Sequence, residues 1–137
     1  MDSEQWKTKF EIMLENVIQA CKETKAKLVF FDNTYMYEKN DTEQFEDSKF
    51  IYDGIKSTVR AKMADRLVTE MENPDIDVMI CRAPEFYGPN KTQSITNSLL
   101  FNRVKNDKTA LLPISDQTLR TLIWTPDASK AMALLAN

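Results

Sequence analysis

Tyr52 and Lys56 stand four residues apart, a spacing that puts both side chains on one face of a helix, one turn from each other. A lysine ammonium near a phenol favours the phenolate and lowers its pKa from about 10, giving an acid or base for proton exchange with an alcohol or a carbonyl. Thr34, just after an apolar run, has the hydroxyl to hydrogen-bond the same substrate oxygen, and Arg60 extends the row. A plainer reading fits the same residues: a core-edge tyrosine beside a lysine that lays its stem along apolar surface, and a threonine that turns the chain. The chain has no histidine, which excludes a His/Cys zinc site, a histidine-based acyl-transfer triad and a histidine general base within one subunit. Acid–base work falls to carboxylates, tyrosine, lysine or cysteine.

The elements that must position these residues are legible in the apolar spacing. LVFFDNTYMY, residues 28 to 37, has four consecutive apolar residues before Asp32, Asn33 and Thr34, which predicts a parallel strand buried on both faces with its polar end at a site. Before it, Trp6, Phe10, Met13, Leu14, Val17, Ile18 and Cys21 form one helical stripe, with Asp2 or Ser3 as cap and Asp2 with Gln5 at capping-box spacing. Residues 38 to 49 are polar and without periodicity, a solvated loop of about a dozen residues. A second helix is predicted from about Phe50 to Glu72, with Tyr52, Ile55, Val59, Met63, Leu67 and Met71 buried and Asn73-Pro74 as its stop. Gly54 would then lie inside that helix, near its start, at a cost of about 1 kcal/mol relative to alanine.

Ile76 to Cys81 is a second segment of strand length, ending in the loop RAPEFYGPN, residues 82 to 90. A helix from about Gln93 to Lys105 would carry Ile95, Leu99, Leu100 and Val104 on one side. Ala110 to Ile114, with Pro113, suits an edge strand or extended loop. Leu119 to Trp124 is a strand candidate, and Thr125-Pro126-Asp127 reads as N-cap, first helical residue and acidic first turn of a last helix. The order predicts an α/β fold with short parallel strands flanked by helices. So thin a buried sheet needs neighbours, which predicts a homodimer or larger oligomer.

With 137 residues, 42% apolar and 28% charged, the composition is that of an ordinary globular chain with one domain as the prior. A net charge of −3 gives no electrostatic case for nucleic acid or an anionic membrane. No apolar run is long enough to span a membrane, and the start MDSEQWKTK lacks the pattern of a secretory signal. Cys21 and Cys81, far apart in apolar patterns, read as buried thiols of a reducing compartment, and the cytoplasm is the expected location.

Four segments taken together resemble one family: NVIQACKETKAKLVFFDNTYMY, YDGIKSTVRAKMADRL, DVMICRAPEFYGP and LIWTPDASKAMALLA. Their order and spacing are similar to the carboxyl-terminal portion of an NAD(P)-dependent epimerase/dehydratase of the extended short-chain dehydrogenase/reductase superfamily. The resemblance implies a partial Rossmann-like parallel sheet, one truncated domain over residues 1–137, and NAD or NADP as cofactor. It implies Thr34, Tyr52 and Lys56 as the catalytic trio, with the tyrosine as acid/base and the lysine also holding the nicotinamide ribose. Arg82, Ala83 and Pro84 fall where the family's loop approaches the nicotinamide and substrate, with Tyr87 close behind as a substrate-contact candidate; apart from the resemblance, the loop of residues 38 to 49 and the residues around Arg120 are further candidates for substrate contact.

One departure is plain. Members of the family begin with a strand, a glycine-rich pyrophosphate turn and a residue that reads the adenosine ribose, whereas the two glycines here, Gly54 and Gly88, belong to no such turn. What remains resembles the catalytic and substrate half. The expectation is therefore a fragment or truncated relative of an epimerase, dehydratase or reductase acting on a sugar nucleotide or similar hydroxylated molecule. By itself it would lack a complete cofactor site. The alternative is a non-catalytic oligomerising domain that completes its sheet with a partner chain.

Overall fold

The computed structural model describes residues 3–90, 92–112, 115, 117 and 119–137. They fall into two compact units, Met1–Arg82 and Ala83–Asn137. The first unit begins with helix α1, Ser3–Thr24, followed by strand β1, Leu28–Asp32, helix α2, Gly54–Met71, and strand β2, Val78–Arg82. β1 and β2 pair in parallel with Leu28 opposite Val78 and Asp32 opposite Arg82, as the continuous apolar runs predict. The cap proposed at Asp2 lies outside the described residues. At its other end α1 closes on Lys25 in the left-handed region, φ 56, with the Ala26 N–H donating to the Cys21 carbonyl at 3.0 Å.

Leu14 and Ile18 of α1, Leu28 of β1, Val59, Met63 and Leu67 of α2, and Ile76 and Val78 form the core of this unit, with Trp6, Phe10, Cys21, Phe30 and Ile80 packed against it. Met13 and Val17 of the predicted α1 stripe are 54% and 44% exposed, so the stripe is narrower than its sequence suggests. β1 is not buried on both faces either, because Phe31 is 39% exposed. Both cysteines are half-buried free thiols.

α2 starts later than the apolar spacing predicts. Phe50 pairs with Tyr37 in an antiparallel bridge and the Ile51 N–H donates to the Met36 carbonyl at 2.7 Å, which keeps this segment extended and outside the helix. Gly54 is the first helical residue and takes φ +78, a conformation glycine reaches without Cβ strain. The consequence is a shift of the buried face: Tyr52, Ile55 and Met71 are exposed, while Ser57, Ala61, Ala64 and Glu70 join the buried residues.

The second unit contains β3, Glu85–Tyr87, a π-helical stretch at Asn97–Phe101 that continues as α3, Asn102–Lys105, then β4, Leu122–Trp124, and α4, Thr125–Ala136. β3 and β4 pair in parallel, Tyr87 opposite Trp124. β3 lies inside a segment predicted to be loop. Three residues between Pro84 and Gly88 are too few to show alternation. Ile95 and Val104, predicted on an apolar face, are 61% and 57% exposed, and Leu119, predicted in a strand, is almost fully exposed. The edge-strand candidate over 110–114 includes Pro113 and Ile114, which lie outside the described residues.

Trp124, not Thr125, is the N-cap of α4. The Thr125 hydroxyl donates instead to the Tyr87 carbonyl at 3.3 Å, and this brings it against Gly88, where a Cβ would lie 1.8 Å from Thr125 Oγ1 and 3.1 Å from its Cβ. Gly88→Ala is therefore expected to cost about 1–3 kcal/mol of stability by overpacking, read as a fall in the urea midpoint, with Gly88→Ala/Thr125→Ala recovering part of it. Among the described residues no helix is long and apolar enough to cross a membrane.

Candidate functional site

In a parallel β–α–β arrangement the helices run antiparallel to the strands, so helix amino termini and strand carboxyl ends share one edge. That edge of the first unit carries Asp32 and Arg82, the paired last residues of β1 and β2. Beyond Asp32 the chain turns: the Asn33 Oδ1 accepts the Tyr35 N–H at 3.0 Å, and the Thr34 carbonyl accepts the Tyr37 N–H at 3.2 Å. Thr34 is half-buried in this turn.

Lys56 lies in the first turn of α2 and is exposed. Its ammonium sits 5.4 Å from the centre of the Trp6 ring. Tyr52 precedes the helix, 54% exposed, and its hydroxyl donates to the Asp65 carboxylate. That hydrogen bond pushes the phenol above its usual range. The lowering by Lys56 that the four-residue spacing predicts is reversed in direction, because Tyr52 lies outside the helix and the partner of its hydroxyl is an acid.

Asp32 is a buried charged group that apolar spacing does not single out. Its side chain is 0% exposed, with Arg60 Nη1 3.3 Å from Oδ1 and Arg82 Nε 4.0 Å from Oδ2. Oδ2 and the Nε atoms of Arg60 and Arg82 are buried with no hydrogen-bond partner. Burial pushes the Asp32 carboxyl up from its ordinary 3.8, against the pull of the Asn33 N–H and the two guanidiniums. The signal was present in the sequence: a carboxylate directly after four apolar residues needs a cation, and Arg60 and Arg82 both sit in apolar segments.

Arg82 also donates to the Tyr37 hydroxyl at 3.0 Å and to the Glu46 carbonyl at 3.4 Å, and stacks on Tyr37 and Phe50. It ties the loop of residues 38–49 to the end of β2. Arg60 lies over Trp6 and Phe10, each at 5.1 Å. The first unit thus brings Thr34, Lys56 and Arg82 to the same strand-end edge, with Tyr52 turned toward Asp65.

The remaining candidates belong to the second unit. Ala83 is buried and Pro84 half-buried, so Ala83 offers only backbone to a ligand. Tyr87 packs against Phe101 and Trp124 at ring separations of 5.4 and 5.2 Å. Arg120 pairs with Glu85, whose carboxylate also accepts the Thr96 hydroxyl and, at 3.1 Å, the Thr96 N–H. A depression of about 340 Å3 in this unit is lined by Ile95 and by polar side chains including Thr92, Ser94, Asn97 and Asn102, and by none of the predicted site residues.

The chain matches the NAD dependent epimerase/dehydratase family over residues 2–137. Among solved structures it is similar to a UDP-N-acetylglucosamine 4-epimerase from Methanobrevibacter ruminantium M1, in complex with UDP-N-acetylmuramic acid, with a TM-score of 0.77 and 19% identity. That likeness, which bears on the fold, covers 90% of this chain and 42% of the other. No curated protein matches the chain.

Proposed function

This chain belongs to the NAD dependent epimerase/dehydratase family, and on that premise we propose that it supplies the catalytic and substrate half of a nicotinamide-dependent epimerase, dehydratase or reductase. Its substrate would be a sugar nucleotide or a similar hydroxylated small molecule. The observation that supports this most is the placement of Lys56, in the first turn of α2, and Thr34, in the turn after β1, at one edge of a parallel sheet.

The residues present suit the nicotinamide end of such a cofactor. Gly54 opens a helix at positive φ and Gly88 is filled against by Thr125, so neither makes a diphosphate cradle, and the isolated chain is proposed to lack a complete cofactor site. When bound, a nicotinamide accepts and returns a hydride at a substrate carbon. Lys56 would hold the nicotinamide ribose through its N–H donors. Thr34 would hydrogen-bond the reacting substrate oxygen, and Tyr52 would exchange its proton after its hydroxyl leaves Asp65. Arg82, Ala83 and Pro84 are proposed to flank the nicotinamide, and Tyr87 and Arg120 to contact substrate. We read the chain as cytoplasmic and assembled with a copy of itself.

A second reading is a non-catalytic domain that completes its sheet with another chain. Among the described residues the sheet of the first unit has two strands, β1 and β2, so each has an edge that no described strand covers, and this favours it. Titration with NAD(H) and NADP(H) separates the two. Saturable micromolar binding weakened by Lys56→Ala is the expected result of a competent site, while no heat or fluorescence change at millimolar cofactor sinks a competent site in the isolated chain.

A further inference from the structure

The other lysines that α1 and α2 direct at neighbours end on carboxylates: Lys22 on Glu70 at 2.8 Å and Lys62 on Glu11 at 3.4 Å. Lys56 meets a ring face instead, the indole of Trp6 at 5.4 Å. The difference is chemical. A carboxylate neutralises an ammonium and occupies its N–H donors, whereas an aromatic face attracts the charge without a directional hydrogen bond and leaves donors for ligand oxygens.

The indole is itself held on several sides. Phe10 meets it edge-on at 4.8 Å, Tyr35 stacks on it at 6.2 Å with planes 25° apart, and the Arg60 guanidinium lies 5.1 Å from its centre while reaching Asp32 at 3.3 Å. A long lysine chain has many rotamers, and contact with an anchored platform selects among them. We propose that Trp6 is a positioning residue that fixes the Lys56 ammonium at the carboxyl end of β1 with its N–H donors open to ligand hydroxyls. This rests on the role given to Lys56 above.

The test is competitive acylation of the full chain with limiting acetic anhydride, reading the labelling of Lys56 relative to exposed Lys39 by peptide mass spectrometry. Trp6→Leu is expected to raise that ratio about two- to five-fold, the size of an exposed cation–π contact, and Trp6→Phe to stay near the parent. An unchanged ratio in a Trp6→Leu protein with an intact circular dichroism spectrum overturns the proposal. Should Trp6→Leu not fold, the contact is read from the other side: Lys56→Met in a Trp124→Phe background is expected to change Trp6 emission, and an unchanged spectrum overturns it equally. NADH titration of the same proteins keeps the readings apart. Loss of affinity in Trp6→Leu to the level of Lys56→Ala supports the positioning role, and parent-like affinity there overturns it. An absence of NADH binding in the parent defeats a competent cofactor site in the isolated chain while the labelling ratio still decides the contact.

Discussion

Arg60→Met is expected to lower the unfolding free energy at neutral pH by about 3–5 kcal/mol, the range for breaking a buried ion pair by removing one member. The reason lies with the partner left behind. Asp32 is 0% exposed and cannot turn to water, and with Arg60 gone its nearest cation is Arg82 Nε at 4.0 Å. Burial already holds the Asp32 carboxyl above its ordinary 3.8. A carboxyl raised in the folded state contributes stability that is present below its ordinary value and lost as pH rises through the folded value. Removing Arg60 raises it further, so the deficit must shrink on acidification, once Asp32 is protonated. Urea unfolding of Arg60→Met and Arg60→Met/Asp32→Asn at about pH 7 and about pH 4 reads both terms. The double variant should recover part of the loss at neutral pH. A deficit that is small, or equal at both pH values, would show that Arg82 alone compensates Asp32.

Glu70→Gln is expected to cost on the order of 2–3 kcal/mol at neutral pH, and to remove an acid-sensitive part of the stability curve. Glu70 is buried at 4% exposure near the carboxyl end of α2 and accepts from Lys22 of α1 at 2.8 Å, from Arg66 one turn earlier at 2.5 Å and from Asn73 at 2.8 Å. These donors, Lys22 first, hold its pKa at about 2, below the ordinary 4.5. The sign is opposite to that of Asp32. A lowered carboxyl stabilises the fold above its ordinary value and loses that contribution as pH falls from about 4.5 toward about 2. The magnitude is set below the full linkage value because Lys22 and Arg66 side chains are 25% and 34% exposed and share their charge with water. The parent should lose stability steeply through this window, and the variant should start lower and lose less. Parallel curves for the two proteins would mean that Glu70 is not held ionised by these contacts.

The α/β order, both strands of the first unit and the stop of α2 followed from apolar runs and Asn73-Pro74, because strand burial and helix termination are local in cause. Thr34 and Lys56 were legible for the same reason, one at a strand end and the other near a helix start. Tyr52 was not: its place in the apolar spacing suggested a buried helical position, but the Tyr37–Phe50 bridge takes the preceding residues out of the helix. β3 was missed because three residues between a proline and a glycine carry no periodicity. Thr125 has the chemistry of an N-cap, yet its hydroxyl is drawn to the Tyr87 carbonyl, a group 38 residues away in sequence.

The sequence by itself determined where apolar segments must be buried, which residue types are available for proton transfer in a chain without histidine, and the family to which their order belongs. Only the tertiary structure decided which charges meet. Asp32, Arg60 and Arg82 come from a strand, a helix and a second strand, and Trp6 reaches Lys56 from a helix fifty residues earlier. Hydrophobic periodicity is a property of neighbours along the chain, whereas a buried carboxylate or an ammonium over an indole depends on groups brought together across it. The edge that carries Thr34 and Lys56 was therefore visible as two positions, and the buried charges beside it, Asp32 with Arg60 and Arg82, became visible only in the fold.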